Sequence, residues 1–327
     1  MVWVCFIFLF SKIKSGFGRY EPQQPFSEGL PESEIVFSPY DPFFAHGTTK
    51  KTIGFIDADG DNLEVVFFNI AGGSSLLWPR NYLTYVNGPR WNSNDDELVF
   101  TISDVSPNVR VIDSDGFMHG KDCVDIDLSG YHLEFNEDGS VIAWISELNS
   151  GFEQLAGSAI GDDEQLILVY DVMSCQVIDK LKIPISSDYW LYDINISKNY
   201  ISVMLLDANK NRFDMSEQPY KTLLIDNVTG DSKEFVGVHP SQSDDGTLLA
   251  YFDYSGDLIV VNLMEGTQKI INTPITKNDD FEFICRPGWS SDNQWVIFND
   301  GEGDIYKLNI MTRELVYITD GYCPDWR

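Results

Sequence analysis

Beyond residue 32 the chain is punctuated at short intervals. Runs rich in Val, Ile, Leu, Tyr and Phe alternate with breaks of Asp, Asn, Ser and Gly, and no stretch holds apolar residues at helical spacing over a useful length. The breaks recur at a fixed offset. Trp91 lies nine residues before Phe100, and Trp289 nine before Phe298. The same offset joins Phe135 to Trp144, Ile194 to Val203 and Gln242 to Tyr251. Each pair is a strand, a polar turn and a second strand, which predicts a hairpin. A second mark follows each hairpin: a β-rich run ends in Asp or Asn and then turns, at Asp57, Asp113, Asp171, Asp226, Asn262 and Asn309.

Each unit therefore reads as two hairpins, or four antiparallel strands. The first marks are Trp91, Phe135, Ile194, Gln242, Trp289 and Trp326, and they recur on average every 47 residues. Four strands per roughly 40–50 residues is the period of a β-propeller blade. The ends complement each other. CPDWR at the C-terminus is a first strand without its partner, and ESEIVFS near residue 34 is a second strand without a first. The predicted fold is an all-β, six-bladed β-propeller over 33–327, closed by pairing of its N- and C-terminal strands in blade one. Such closure would remove exposed sheet edges.

The segments PGWSSDNQWVIF and PRWNSNDDELVF follow a P-x-W-S-x-D-x-x-x-I-x-F pattern. They resemble the repeats of TolB-like, WD-repeat-like propellers, as does the turn in FIDADGDNLEVV. The resemblance spans about 33–327, strongest in blades one, two and six. TolB itself carries an α/β domain ahead of its propeller, for which this chain has no room, so a TolB orthologue is not expected. The resemblance implies six blades and an interaction role outside the cytoplasm; it does not fix a function.

Charge narrows the partners. Asp plus Glu total 51 against 22 Lys plus Arg, a formal net charge of −29. Nucleic-acid binding needs clustered cations and is not expected. Residues 2–10 form an unbroken apolar run followed by Lys12 and Lys14, about half the length that spans a bilayer. Residues 1–11 read as a leader or anchor remnant, giving a possible N-terminal membrane association, or as a buried or disordered end. Residues 12–32 read as a linker. The expected location is periplasmic, secreted or membrane-anchored, and the expected state is a monomer.

Candidate chemistry is sparse. The sequence has no G-x-S-x-G elbow, Walker loop or G-x-G-x-x-G fingerprint, and its four histidines are scattered. No cofactor and no metal is expected. Asp57, Asp59, Asp61 and Asn62 have the alternate spacing of a calcium loop, but Phe68 stands where the bidentate Glu would be, so a glycine-assisted turn is preferred. Five cysteines form no C-x-x-C pair; Cys285 and Cys323 hold near-equivalent places in adjacent blades, where proximity is plausible and a disulfide stays open. Arg90, Arg286 and Arg327 flank the Pro-x-Trp marks, on the strand face opposite the tryptophans. They are channel candidates for an anionic group, or they pair with carboxylates between blades.

The long connections, 39–51, 71–88, 147–165, 184–193, 207–219 and 273–284, would all leave one face of such a disc, while the opposite turns are short. They carry Phe43, Phe44, Trp78, Arg80, Tyr82, Tyr189, Trp190, Phe213 and Phe281, residue types typical of binding hot spots. These side chains either form a binding face or plug the funnel. The expected function is a non-enzymatic module that binds a protein partner or carbohydrate through that face. The alternative is a carbohydrate-active lyase or hydrolase using Asp162, Asp163, Asp279 and Asp280.

Overall fold

The computed structural model describes residues 35–39, 52–67, 85–91, 98–103, 107–112, 118–121, 133–135, 141–145, 164–171, 176–184 and, from 186 to 326, all but 187, 198, 212–213, 244 and 276–283. These residues form antiparallel β-sheets joined by turns, with one 3-10 turn at Met215–Glu217 and no α-helix among them.

Strands follow one another in sheet order, as short connections demand. β1 (Ile35–Pro39), β2 (Thr52–Ile56) and β3 (Glu64–Phe67) are followed by the meander β4 (Tyr85–Trp91), β5 (Leu98–Ser103), β6 (Pro107–Ile112) and β7 (Met118–Lys121). The next meander is β8 (Leu133–Phe135), β9 (Val141–Ile145), β10 (Glu164–Asp171) and β11 (Gln176–Pro184). Then come β12 (Tyr189–Ile196), β13 (Tyr200–Asp207), β14 (Tyr220–Asp226) and β15 (Ser232–Phe235), and β16 (Val238–Gln242), β17 (Leu248–Phe252), β18 (Leu258–Asn262) and β19 (Gln268–Ile271). The chain ends in β20 (Gly288–Trp289), β21 (Trp295–Asn299), β22 (Asp304–Asn309) and β23 (Leu315–Trp326).

The last strand serves two meanders. Residues 315–320 of β23 pair with β22, and residues 321–326 pair with β1, placing Ile35 opposite Trp326 and Val36 opposite Asp325. One seven-stranded sheet, β20-β21-β22-β23-β1-β2-β3, thus joins the two ends of the chain. The expected pairing of terminal strands is present. Ile35, Val36 and Phe37 are each at most 1 % exposed, so β1 is buried on both faces. A Cβ at Gly54 would lie 2.4 Å from the Phe37 ring, which makes glycine the residue that admits this packing.

Repeated turns have repeated chemistry. Ser290 Oγ donates to Asp292 and accepts the Trp295 N–H at 3.0 Å; Ser243 does the same with Asp245 and Leu248. The left-handed position in these turns is Asn293 in one and Gly246 in the other. At the second mark, Asp226 Oδ1 accepts the N–H groups of Val228 and Thr229. Asn262 and Asn309 hold Met264 and Glu265, and Met311 and Thr312, in the same way. Backbone bonds at these marks hold the carboxyl of Asp226 below its ordinary value.

One sequence mark is displaced. Ile194 does face Val203, but the serine that starts the turn is Ser197, so the residue equivalent to Trp289 is Ile196. Ser197 N–H bonds to Tyr200 O where Ser290 N–H bonds to Trp295 O, so this hairpin is two residues tighter.

Burial falls from the first to the last strand of a meander. All of β16 is buried, whereas in β19 only Ile271 is. The edge strands β15 and β19 carry the exposed Lys233 and Lys269, a placement that discourages edge-to-edge pairing in a chain short of cations. Core residues of three successive meanders merge in one cluster, including Met204, Phe252, Trp289 and Phe298.

Cys285 and Cys323 are disulfide-bonded across 38 residues, with Cα atoms 4.9 Å apart. The bond ties the segment leading into β20 to the closing half of β23. Asn299 Oδ1 accepts both cysteine N–H groups, at 3.1 and 3.3 Å. Removing a cross-link of this loop length raises unfolded-chain entropy by an amount worth about 4 kcal/mol in the chain-entropy model. Cys285→Ser/Cys323→Ser is expected to lose roughly 2–4 kcal/mol in urea unfolding, while a loss under 1 kcal/mol would show that the closing strand does not depend on it.

Candidate functional site

First strands of the meanders bulge at one repeated position. Register slips between Asn87 and Arg90 in β4, between Leu191 and Asp193 in β12, and between Val238 and Ser241 in β16. It slips again where residues 322–325 face Val36 and Ser38. In three of these the slip falls on an x-Pro pair: Gly88-Pro89, His239-Pro240 and Cys323-Pro324. Proline cannot donate to a ladder, so the strand must bulge there. The residue before it is re-aimed: His239 and Cys323 take φ of 54° and 49°, uncommon for residues with a Cβ. Arg286-Pro287 precedes β20 in the same way, and in β12 the corresponding residue is Asp193.

These positions converge. Asp193 Oδ2 lies 3.9 Å from His239 Nδ1, and Asp193 Oδ1 accepts the Ile194 N–H at 2.8 Å. The His239 N–H points at Met204 Sδ, 3.3 Å away. The Arg286 guanidinium donates to Ile194 O at 2.9 Å, reaching past the meander that contains His239. Beside this group, Asn195 and Ser202 are directly paired, and Asn195 Oδ1 and Ser202 Oγ are buried without a protein hydrogen-bond partner. A carboxylate, an imidazole and a guanidinium are thus gathered from three meanders, with two buried oxygens left over on the pair of strands that carries Asp193. Asp193 and His239 are not within hydrogen-bond distance of each other and do not make a catalytic dyad in this geometry.

Of the predicted channel arginines, Arg286 is in this group, held by a backbone carbonyl of another sheet. Arg90 belongs to β4; its side chain, and Arg327, lie outside the described residues. Tyr189 is half-buried and its ring carries Lys221 Nζ at 3.9 Å, itself 2.8 Å from Glu234. One face of Tyr189 is therefore already used within the molecule. Trp190 is in β12 with its side chain outside the described residues. Phe43, Phe44, Trp78, Arg80, Tyr82, Phe213 and Phe281 lie outside them too, as do Asp162, Asp163, Asp279 and Asp280.

Described parts of the long connections do adjoin. The Ala208 N–H donates to Asp188 O at 2.7 Å, joining 207–219 to the segment before β12. Tyr254, in the turn between β17 and β18, bonds through its hydroxyl to the backbone of Tyr220 at 2.5 Å. Asp214 Oδ1 caps the Met215–Glu217 turn, and the Asn211 N–H bonds to Glu217.

Asp57, Asp59, Asp61 and Asn62 are engaged in their turn. Asn62 Nδ2 donates to Asp57 Oδ2 at 2.6 Å, and Asp59 Oδ1 accepts the Asp61 N–H. Gly60 supplies the left-handed residue, with φ 90°.

Two of the converging residues were within reach of the sequence. Pro240 stands two residues before Gln242, as Pro89, Pro287 and Pro324 stand before their tryptophans, which gives His239 the repeat position that Arg286 holds. Asn299 carries no such signal. The chain matches no known family model, and a search of curated proteins finds no match.

Asp300 is the perturbed acid near this end of the sheets. It is 8 % exposed, and burial pushes its carboxyl upward, helped by the charge of Asp304, against three backbone N–H bonds to Oδ1 that pull it down. Tyr306 is pushed up to about 12 by burial and by Asp304 and Asp300. A raised folded-state value means that ionising Asp300 costs stability as pH climbs from the ordinary carboxylate range through the raised value, and the cost is absent below that range. Asp300→Asn keeps the acceptor oxygen and removes the charge. It is expected to be about 0.5–1 kcal/mol more stable than the parent at pH 7, with the gain vanishing near pH 3; equal loss at both pH values would contradict this.

Proposed function

We propose that this chain is a six-bladed, TolB-like β-propeller that acts as a non-enzymatic binding module outside the cytoplasm. The observation that carries the architecture is the dual role of β23. With β23 shared, the seven-stranded sheet is two four-stranded meanders, and with the other four sheets the units number six. Contacts between inner strands support a ring. Ser197 bonds to Gln242, Trp289 Nε1 to Ser241 O at 3.4 Å, Cys285 to Cys323, and the Trp91 N–H to Asp325 Oδ2 at 2.9 Å. β12 also packs against β8.

The disulfide supports an oxidising compartment. Long connections on one face support a binding role there, because rigid scaffolds present ligands on their loops. In this reading the Asp193–His239–Arg286 group lines the throat beneath the long-loop face, and the aromatics above it make the contact with a protein or carbohydrate. The test measures stability and affinity on the same variants, with a partner recovered by using the propeller as bait and with sugars as competitors. Trp78→Ala and Phe213→Ala are each expected to weaken binding by about 1–3 kcal/mol and leave the melting temperature unchanged. A lower melting temperature with affinity intact would mean that the aromatics plug the funnel instead.

A further inference from the structure

The face opposite the long connections carries its own pattern. Four described turns join the third and fourth strands of a meander, and each exposes one large apolar side chain. Val228 is 88 % exposed, Met264 80 %, Met311 65 % and Leu63 54 %. Folding does not ask for them. In three of these turns the Asx oxygen of Asp226, Asn262 or Asn309 holds the chain, and Gly230, Gly266 or Arg313 takes the left-handed position. Val228, Met264 and Met311 occupy the same place, two residues past the Asx residue, where the side chain projects into solvent and a polar residue would serve. Isolated exposed apolar residues need no explanation, but the same place in successive repeats does.

The turns share one side of the molecule and adjoin. Backbone bonds tie three of them to the first-to-second turn of the same meander: Asn227 to Asn199, Leu263 to Thr247 and Ile310 to Gln294. Two of those turns touch in their turn, since a Cβ at Gly246 would lie 3.0 Å from the Asn199 side chain. Lys269 Nζ lies 3.1 Å from Met311 Sδ, joining neighbouring tips, and Lys307 Nζ donates to Ala58 O, joining the meander of Met311 to the turn of Leu63.

We propose that the row Val228, Met264, Met311 and Leu63 is a second docking surface, for a positively charged protein partner with apolar sockets. Charge selects the occupant. Asp59, Asp231, Glu265 and Glu314 stand in these turns, against Arg313 within them and Lys269 and Lys307 beside them, in a chain of net charge −29. A second copy would meet like charge, and an anionic bilayer would repel the same rim. Methionine adapts its shape to a pocket, as an anchor in a socket requires. The surface stands apart from the long-loop face and does not depend on what binds there.

The test uses the full chain with a photo-crosslinking residue at Val228, irradiated in the cells that make it. The captured protein is then purified and titrated against the unmodified chain at low and high salt. The proposal expects a basic partner whose affinity falls several-fold as salt rises, and at least tenfold in Met264→Ser/Met311→Ser, with that variant's melting temperature unchanged. Val236→Ser, exposed but off the row, binds as the parent does. Capture of a second copy only, co-sedimentation with phosphatidylcholine–phosphatidylglycerol vesicles, no captured protein, or equal binding by the double serine variant would each overturn it.

Discussion

The last strand of the chain hydrogen-bonds to the first, and that pairing joins two meanders in one seven-stranded sheet. Residues 321–326 also contact the segment before β20 and the strand β4. The Cys285 disulfide fastens them to one neighbour, and Asp325, accepting the Trp91 N–H, fastens them to the other. A C-terminal segment ordinarily frays, because few contacts offset its conformational entropy. Here the segment is covalently held, and its partner β1 is buried on both faces. Asn299 adds one acceptor for both cysteine amides, so the cross-link and the ladder share a polar anchor that is itself fully buried.

Around this seam the fold is a repetition of local solutions. The described turns at these marks satisfy their backbone with their own Ser, Asp or Asn. The links between meanders are fewer and more varied: a serine to a glutamine, an indole to a carbonyl, a guanidinium to a carbonyl. Proline two residues before the mark forces a bulge in the first strand of the meander, and the bulge turns His239 and Cys323 out of the ladder.

What could be read from the sequence follows the range of each interaction. The Asx marks Asp226, Asn262 and Asn309 were legible because the turn writes its chemistry within four residues. Pairing of the chain ends was legible because CPDWR and ESEIVFS each lack a partner of known type. Ile194 was misplaced as a mark because its hairpin is two residues tighter, and Val203 still falls opposite it, so the nine-residue offset survived at the wrong register. The Cys285–Cys323 bond was left open because spacing carries no information on Cβ direction. Strand alternation placed Arg286 on the face opposite Trp289 but could not name Ile194 O, 92 residues away, as its acceptor. Asp193 and His239 meet only through folding, and only the proline beside His239 hinted at it.

Closure by the terminal strands is most directly measured by native-state hydrogen exchange of the amides in residues 322–326. The account predicts protection comparable to that of β18 and β22, lost together with global unfolding. Exchange near the rate of an unstructured peptide, while β18 and β22 stay protected, would contradict it.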